Sequence, residues 1–312
     1  MIAPLPVVHV DRELDATNFD HVAGRANIVG PAEDELPEAV AAVVGIGHRW
    51  DAERFARFPK LSVVSRMGIG YDNVDVPAAE RAGVVVCNSP DAPTVSTAEH
   101  ALALMLAITK ELPEQSDRAG AGRPGKATPT SLELDGATLG LIGLGRIGRR
   151  VALAADAMGM RVIAHDPAIE IVPAELTGVE LVDLDAVIER SDVVSLHAPA
   201  RPETHHLVGA ASIARMKQGV YIVNCARGSL VDHDALLAGL DSGQVAGAGL
   251  DVTDPEPLPA GHGLLGRPDV VVTPHIASGT CAGRRRLFAD AFDNAIAVLE
   301  GRPASIVTHS AS

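Results

Sequence analysis

The chain has 312 residues, 47% of them hydrophobic, and this length and apolar content suffice for two domains with separate cores. Its 26 basic and 40 acidic residues give a formal net charge of −14, which argues against nucleic acid or an anionic membrane surface as a partner. The three cysteines have no metal-ligand spacing, so we expect no metal site, no disulfide framework and a reducing, cytoplasmic location.

The first hundred residues alternate short β-type runs with connections long enough for helices, which is typical of parallel βαβ units. Charged residues follow the short apolar start, so we expect no signal peptide, and the longest apolar stretch, 101–109, is too short to span a bilayer. Ser96 and Glu99 form a capping-box pattern that predicts a helix to about Leu112, and 114–129 is predicted to be a loop. The predicted strands are 6–10, 26–29, 40–44, 61–65 and 84–87.

A second series of β-type runs begins at residue 137, and these runs are continuously apolar, as in a parallel sheet buried on both faces. The patterns predict an α/β fold of two doubly wound parallel-sheet domains, the second inserted into the first. Residues 1–99 and 281–312 would form one domain and residues 100–280 the other. The predicted strands of the second series are 138–142, 161–165, 192–197, 220–225, 246–252 and 270–273, and the predicted helices are 146–158, 232–240 and 281–299.

Three segments match G-x-G-x-x-G, the pattern of dinucleotide-binding loops, so their context has to decide between them. The match at 143–148 directly follows a predicted strand and opens a predicted helix. The next predicted strand is followed by Asp166, eighteen residues beyond Gly148. The matches at 120–125 and 261–266 neither follow a strand nor open a helix, and we expect turns there.

In a dinucleotide site, Gly143 would make the tight turn and Gly148 would allow close helix–strand packing. Gly145 would let the backbone approach the pyrophosphate at the helix N-terminus. The carboxylate of Asp166 would accept hydrogen bonds from the ribose and repel the 2′-phosphate of NADP. The sequence therefore predicts NAD as the cofactor.

Three predicted strands of the second series end in polar residues, at the sheet edge where α/β folds bind ligands. Arg227 has the geometry to hold a carboxylate, His275 to exchange a proton near neutral pH, and Glu256 to orient that imidazole. Taken singly, Arg227 could be an ordinary surface arginine, His275 a capping histidine and Glu256 a loop glutamate. Together they form the set that oxidation of a hydroxyl beside a carboxylate requires.

Five segments in chain order form a set: RMGIGYDNVD (66–75), LIGLGRIG (141–148), VNCARG (223–228), LDV (250–252) and TPHI (273–276). With these segments the chain resembles the D-isomer-specific 2-hydroxyacid dehydrogenase family over nearly its whole length. The resemblance implies NAD-dependent interconversion of a 2-keto acid and a D-2-hydroxy acid. It also implies a Rossmann coenzyme domain inserted into a flavodoxin-like substrate domain, and a homodimer formed through the coenzyme domain.

The resemblance implies roles for particular residues. Arg227 would bind the substrate carboxylate and polarise the keto group, His275 would be the acid/base that contacts the substrate, and Glu256 would pair with His275. The backbone amides that would help to hold the carboxylate are those of Gly68, Ile69 and Gly70. The residues that would line the cofactor site are Thr97, Gly143, Gly145, Arg146, Ile147, Gly148, Asp166, Ala198, Cys225, Arg227 and Asp251.

Some positions depart from the family pattern. Ala198 stands where many relatives have Thr, so one hydroxyl contact to the cofactor would be missing. Phosphoglycerate-handling relatives often carry Arg-Ser where this chain has Gly45 and Ile46, and the length leaves no room for their C-terminal regulatory domain. We therefore predict a small anionic, unphosphorylated 2-keto acid such as glyoxylate or hydroxypyruvate as the substrate. The alternative function is that of phosphoglycerate dehydrogenase of serine biosynthesis, and the presence of Arg66 is compatible with it.

The loop at 45–48 is the predicted specificity determinant, and His48 in it is either a substrate contact or a surface residue. A protein that senses NAD, similar to the C-terminal binding protein corepressors, is an alternative interpretation on the same fold. Phosphite and formate dehydrogenases of this fold family are a third. The intact set of Arg227, Glu256 and His275 favours an enzyme over a sensor.

Overall fold

The structure is a computed structural model that describes residues 4–14, 16–31, 36–126, 128, 130–302 and 304–307. The chain divides into two compact units: unit 1 is Met1–Thr94 with Gly279–Ser312, and unit 2 is Val95–Ser278. Unit 2 is thus a continuous segment inserted into the chain of unit 1. Within the described ranges, no helix is both long and apolar enough to cross a membrane.

The strands, in chain order, are β1 (Val7–Val10), β2 (Asn27–Val29), β3 (Ala41–Val44), β4 (Val63–Arg66), β5 (Val85–Cys87), β6 (Thr138–Ile142), β7 (Arg161–His165), β8 (Val179–Leu181), β9 (Val193–Leu196), β10 (Val220–Asn224), β11 (Val245–Leu250) and β12 (Val270–Val272). The α-helices are α1 (Ala16–Val22), α2 (Ala52–Ala56), α3 (Val76–Arg81), α4 (Thr94–Thr109), α5 (Leu112–Gly120), α6 (Arg146–Ala157), α7 (Leu184–Arg190), α8 (Ala210–Ile213), α9 (His233–Ser242) and α10 (Cys281–Leu299).

Unit 1 is built on a parallel sheet in the order β2-β1-β3-β4-β5, which is the flavodoxin-like arrangement. Apolar residues cover both faces of this sheet. Phe288 and Phe292 of α10 lie in the core cluster on one face. Trp50, Phe55 and Phe58 belong to the cluster on the other. Aromatic side chains thus concentrate in unit 1, although they are scarce in the chain.

Unit 2 has a parallel sheet in the order β12-β11-β10-β9-β6-β7-β8. Counted from β6, this is the Rossmann order 3-2-1-4-5-6 with one further parallel strand at the edge. All five residues of β6 are buried, with Leu139 and Leu141 in one core cluster and Ile142 in the other. The predicted α/β class, with one Rossmann and one flavodoxin-like sheet, is confirmed.

Most predicted elements agree with the structure, and β6, β7 and α10 have the predicted bounds. The N-cap predicted at Ser96 is wrong, because α4 begins at Thr94 and buries Ser96 inside the helix. The loop predicted at 114–129 is also partly wrong, since α5 occupies its start, with Pro113 in the first turn where proline is tolerated. Residues 127 and 129 of that stretch lie outside the described residues.

The two rejected glycine matches lack the dinucleotide-binding context, as predicted, although the first begins in a helix and not in a turn. Gly120 is the last residue of α5, and Gly261 lies in a turn with φ of +82°. Neither match opens a helix, so 143–148 is the only one of the three with the strand–turn–helix context.

Candidate functional site

The glycine loop between β6 and α6 depends on glycine at two positions. Gly143 has φ of +99°, and a Cβ there would lie 2.7 Å from the carbonyl group of His197. A Cβ on Gly148 would lie 2.3 Å from the carbonyl oxygen of Gly143. Both distances are far below van der Waals contact, so the turn and the close approach of α6 exclude a side chain at either position.

Gly145 differs from these two glycines. A Cβ on it would meet nothing within 4 Å among the described residues, apart from its own chain neighbours. Gly145 is the N-cap of α6 and, lacking a side chain, does not cap the amides of the first turn. Open space beside uncapped helix amides is what a bound pyrophosphate requires, so these residues fit a dinucleotide.

Asp166 connects the glycine loop to the end of β7. Its Oδ2 accepts a hydrogen bond from the Leu144 amide at 2.8 Å, and its Oδ1 accepts one from the Ala168 amide at 2.9 Å. Each carboxylate oxygen keeps a further lone pair that a ribose hydroxyl can use. The anchoring of the glycine loop is a role of Asp166 that sequence reasoning missed.

The turn that carries Arg227 is shaped by the buried Asn224, the last residue of β10. The Asn224 Nδ2 donates to the Arg227 carbonyl at 2.8 Å, and its Oδ1 accepts from the Ala226 amide at 3.0 Å. The half-buried Arg227 also donates from Nη1 to the Ala226 carbonyl at 2.7 Å. Asn224 fixes the turn after β10, a role that the strand pattern did not reveal.

The Arg227 turn lies against the loop that carries Glu256. A Cβ on Gly228 would lie 2.1 Å from the carbonyl group of Thr253, so only glycine permits this approach. Thr253 is buried, and its hydroxyl donates to the Pro255 carbonyl at 2.9 Å. The loops after β10 and β11 are therefore fixed side by side.

His275 and Glu256 meet directly. The Nδ1 of His275 lies 2.6 Å from Oε1 of Glu256, and their side chains are 33% and 36% exposed. Since β10, β11 and β12 are neighbours, the residues that follow them share one edge of the sheet. The structure thus brings Arg227, Glu256 and His275 to that edge, as the strand ends predicted.

The backbone of His275 has a left-handed conformation, with φ of +51°. For a residue with a side chain this costs about 1 kcal/mol, so the loop must be held by other contacts. The His275 amide donates to the Asp251 carbonyl at 2.8 Å. The carboxylate of Asp251 accepts hydrogen bonds from the Ile276 and Ala277 amides at 2.9 and 2.8 Å. Asp251 therefore positions the loop around His275.

Two further side chains complete the surroundings of Asp251. The Thr273 hydroxyl donates to Oδ1 of Asp251 at 2.6 Å, and Nε2 of His100 lies 2.9 Å from that hydroxyl. Burial favours a raised pKa for Asp251, but the hydrogen bonds from His100, Thr273 and the two loop amides outweigh it and lower the pKa. His100 was not predicted as a site residue. Its proximity to Asp251 follows from the packing of α4 on β11, where Leu104 lies against Gly249.

The remaining predicted cofactor residues lie in unit 2. Thr97 is buried on α4, one turn before His100 and on the same face of the helix. Cys225 is buried after β10, and burial, with the Asp251 charge adding to it, raises the pKa of its thiol far above the usual range. The thiol is neutral as a result. The residues at the ends of β6, β7 and β9 are Gly143, Gly145, Arg146, Ile147, Gly148, Asp166 and Ala198.

His197, which precedes Ala198, is a partly buried histidine. Burial lowers the pKa of its imidazole from 6.5 to about 4, so it is neutral at physiological pH. Its Nε2 lies 2.9 Å from the Ser195 hydroxyl, and its carbonyl group faces Gly143. This histidine supports the glycine loop.

The predicted carboxylate-binding segment of unit 1 follows β4. Here the Gly68 amide donates to the Arg66 carbonyl at 2.9 Å, so it is already engaged. The Asn88 Nδ2 donates to the Ile69 carbonyl at 2.8 Å and holds the segment in place. Of the three predicted amides, those of Ile69 and Gly70 have no acceptor among the described backbone groups.

Comparison with known proteins agrees with this fold. Residues 102–277 match the family described as D-isomer specific 2-hydroxyacid dehydrogenase, NAD binding domain. The D-3-phosphoglycerate dehydrogenase of Mycobacterium tuberculosis is 41% identical over 304 residues, which are 95% of this chain and 57% of that protein. This chain spans about half the length of the curated relatives it matches.

Two solved structures are similar over almost their full length. The TT0316 protein from Thermus thermophilus has a TM-score of 0.87 and 38% identity, covering 97% of this chain and 100% of that one. A glyoxylate reductase from Paecilomyes thermophila has a TM-score of 0.86 and 29% identity, covering 98% and 99%. The chain belongs to the D-isomer specific 2-hydroxyacid dehydrogenase family, and its cofactor is NAD.

Proposed function

We propose that this chain catalyses the NAD-dependent interconversion of a 2-keto acid and its D-2-hydroxy acid. The observation that carries the proposal is the 2.6 Å contact between His275 and Glu256, on loops beside the Arg227 turn. A paired imidazole and carboxylate next to an arginine supplies acid/base chemistry and a carboxylate anchor. Family membership supports the same reaction class.

In the direction of reduction, the guanidinium of Arg227 would hold the substrate carboxylate. For the segment after β4, we propose separately that the amides of Ile69 and Gly70 donate to a carboxylate, as the family resemblance implies. Bound NADH supplies the hydride that the keto carbon receives. Protonated His275 would give its Nε2 proton to the keto oxygen, because Nδ1 faces Glu256. Glu256 would hold the imidazole in this orientation and stabilise its positive charge.

The cofactor contacts are also part of the proposal. The uncapped first turn of α6 would bind the pyrophosphate, and Asp166 would bind the ribose of the adenosine. The neutral thiol of Cys225 and the methyl group of Ala198 would offer apolar contacts to the rings. The other proposed cofactor residues are Thr97, Gly143, Gly145, Arg146, Ile147, Gly148, Arg227 and Asp251.

For the substrate, we propose D-3-phosphoglycerate and its 2-keto form first, because curated relatives near 41% identity carry that activity in their names. A small unphosphorylated 2-keto acid is the second candidate. It is favoured by Gly45, which contributes no cationic side chain of its own, and by the similarity to a glyoxylate reductase. The sequence-based preference for the second candidate therefore has less support than its alternative.

An NADH-consumption assay tests both levels of the proposal. The panel is glyoxylate, hydroxypyruvate, pyruvate and phosphohydroxypyruvate, with His275→Ala as the matched inactive control. Turnover of at least one acid by the wild type, lost in the variant, is expected. Absence of turnover with every acid would favour an NAD-sensing protein, and the acid with the highest kcat/KM identifies the substrate class.

We further propose a homodimer formed through unit 2 and a cytoplasmic location. Cys87 and Cys225 are free and buried, and Cys281 is free and exposed, a set that suits a reducing compartment. Light scattering of the purified protein would test the dimer, and fractionation of cells that express it would test the location.

A further inference from the structure

The sheet of unit 1 has a point where its strand order reverses, between β1 and β3. In doubly wound sheets, ligands bind in the crevice outside the carboxyl ends of the strands at such a point. The residues that follow β1 are Asp11 and Arg12, and the residue that follows β3 is Gly45.

The guanidinium of Arg12 lies directly over Gly45. A Cβ on Gly45 would lie 2.0 Å from Nη2 and 3.2 Å from Cζ of Arg12. The guanidinium therefore occupies the space where a side chain at position 45 would begin. Glycine at this position makes room for a cation that comes from another strand.

The Arg12 side chain faces Asp11 and is half open to solvent. Its Nε lies 3.7 Å from Oδ1 of Asp11, which is too long for a hydrogen bond, and its side chain is 50% exposed. The Asp11 side chain is 3% exposed, and its Oδ2 accepts a hydrogen bond from the Gly45 amide at 2.7 Å. Asp11 thus joins the ends of β1 and β3 and orients Arg12 without engaging its terminal nitrogens closely.

A second guanidinium, that of Arg66, is linked to the same loop through Asn73. The Asn73 Nδ2 donates to the carbonyl groups of Gly45 and His48, at 3.0 and 2.8 Å. Its Oδ1 accepts from Nε of Arg66 at 3.3 Å. Arg66 is buried, and a Cβ on Gly68 would lie 2.9 Å from its Nη1. The loop at 45–48 is therefore held by Asn73, which contacts Arg66, and Arg12 lies over its first residue.

This arrangement sets a spacing within unit 1. Neighbouring strands lie about 4.8 Å apart, so a group above Gly45 would lie about 5 to 10 Å from one bound at the amides of Ile69 and Gly70, beyond β4. A short acid with a negative charge at each end spans that interval. An arginine fork matches the oxygens of a phosphate or carboxylate.

We propose that Arg12, seated over Gly45, is a second anion site that binds the far end of the substrate. The ligand is a 2-keto or 2-hydroxy acid with a second anionic group, either a phosphate or a second carboxylate. This proposal rests on the proposed function, since it assigns the opposite end of the same substrate. It also explains how a chain without a cationic side chain at position 45 can accept a phosphorylated acid.

The test compares kcat/KM for NADH-dependent reduction of phosphohydroxypyruvate, 2-oxoglutarate and hydroxypyruvate. The enzymes are the wild type, Arg12→Gln, Arg12→Lys and Gly45→Ala, with Arg81→Gln, an exposed arginine at the end of α3, as matched control. The preference of the wild type for an acid with a second anion should fall about tenfold in Arg12→Gln, mainly through KM, because a charge-assisted hydrogen bond is lost. Gly45→Ala should act similarly by displacing the guanidinium, Arg12→Lys should retain part of the preference, and Arg81→Gln should retain all of it.

Comparison of kcat/KM for two of the substrates shows whether the site prefers a phosphate or a carboxylate. Phosphohydroxypyruvate carries a phosphate as its second anion, and 2-oxoglutarate carries a second carboxylate. A wild type that prefers neither over hydroxypyruvate would overturn the proposal. Equal losses for all three acids in Arg12→Gln would also overturn it, since they indicate a structural role.

Failure of the proposed function has a different signature, namely no turnover of any acid by the wild type. In that case the rise in Tm caused by 3-phosphoglycerate, relative to glycerate, tests the anion site without turnover. The site predicts a larger rise with 3-phosphoglycerate in the wild type than in Arg12→Gln. Equal rises in the two proteins would contradict it.

Discussion

The imidazole Nδ1 of His275 lies 2.6 Å from the carboxylate Oε1 of Glu256, although nineteen residues separate them in the chain. The contact leaves Nε2 as the nitrogen that can exchange a proton with a substrate. The Asp251 carboxylate accepts hydrogen bonds from the two amides that follow His275 and so stabilises the left-handed backbone of His275. Glu256 therefore orients the imidazole of His275, and Asp251 positions its backbone.

Glu256→Gln removes a negative charge and preserves the shape of the side chain. The carboxylate accepts the Nδ1 proton in a charge-assisted hydrogen bond, and an amide offers only a weaker neutral one, so reductive kcat/KM should fall about tenfold in the variant, mainly through kcat. Steady-state kinetics measures this for the variant, the wild type and Asp254→Asn, which removes a neighbouring charge and should change little. If Glu256→Gln keeps wild-type kinetics, Glu256 is not the partner and Asp254 becomes the next candidate.

Arg227→Lys keeps the charge but removes the fork that binds two carboxylate oxygens. Loss of one charge-assisted hydrogen bond at a half-buried site should lower kcat/KM by about 10- to 100-fold. Arg201→Lys, at an exposed position, is the matched control and should change little. Steady-state kinetics checks the result, and near-equal activity of Arg227→Lys would indicate that a distant positive charge suffices.

Asp166 should make the enzyme prefer NADH over NADPH by at least about tenfold in kcat/KM, or about 1.4 kcal/mol, because its charge repels the 2′-phosphate. Asp166→Asn should narrow this gap while its oxygen still accepts the Leu144 amide. Asp166→Ala should also raise KM for both cofactors, since the glycine loop loses its anchor. Equal use of both cofactors by the wild type would refute the charge argument.

Asp251→Asn should lower the free energy of unfolding by about 1 to 3 kcal/mol, because an amide nitrogen cannot accept the hydrogen bonds that one carboxylate oxygen now accepts. It should also lower kcat, since the loop of His275 loses its support. Thr273→Val removes a single donor and should have the smaller effect. Chemical denaturation measures the stability, and an Asn variant as stable as the wild type would show that the loop does not depend on this carboxylate.

His197 should make the fold less stable in acid. Its pKa is about 4 in the folded protein, below the ordinary value of 6.5, so between these values the unfolded chain binds a proton that the folded protein does not. Stability should therefore fall as pH decreases through this window, by about 1 kcal/mol per pH unit from this residue. His197→Gln should reduce the slope of unfolding free energy against pH, whereas His205→Gln, at an exposed histidine, should not. Identical slopes would show that folding does not lower the pKa of His197.

The fold class and much of the proposed site could be predicted from the amino-acid sequence alone. Continuous apolar runs identified β6 and β7 with their bounds, because a strand buried on both faces needs no long-range information to be recognised. The same logic selected 143–148 among three glycine matches, since strand, turn and helix are consecutive in the chain. The order of strand ends also anticipated that Arg227, Glu256 and His275 share one edge of the sheet.

Short or exposed elements escaped the sequence analysis. Strand β8 has three residues at the sheet edge, and α5 buries none of its side chains. Hydrophobic periodicity predicts an element only where one face is buried, so neither element produced a signal. The helix N-cap predicted at Ser96 was a false positive. Its capping pattern is a local feature of the sequence, whereas the burial of Ser96 inside α4 depends on the tertiary fold.

Which polar groups remain available to a ligand could not be predicted from the sequence and became clear only from the folded chain. Gly45 indicated no cation at the end of β3, yet the Arg12 guanidinium lies over it from the end of β1, thirty-three positions earlier in the chain. The Gly68 amide, predicted as a carboxylate donor, is occupied by the Arg66 carbonyl. His100 reaches the Asp251 network from a helix 151 positions away. A local pattern specifies residue types along the chain, whereas hydrogen-bond partners and shared space depend on which strand ends the sheet order makes neighbours.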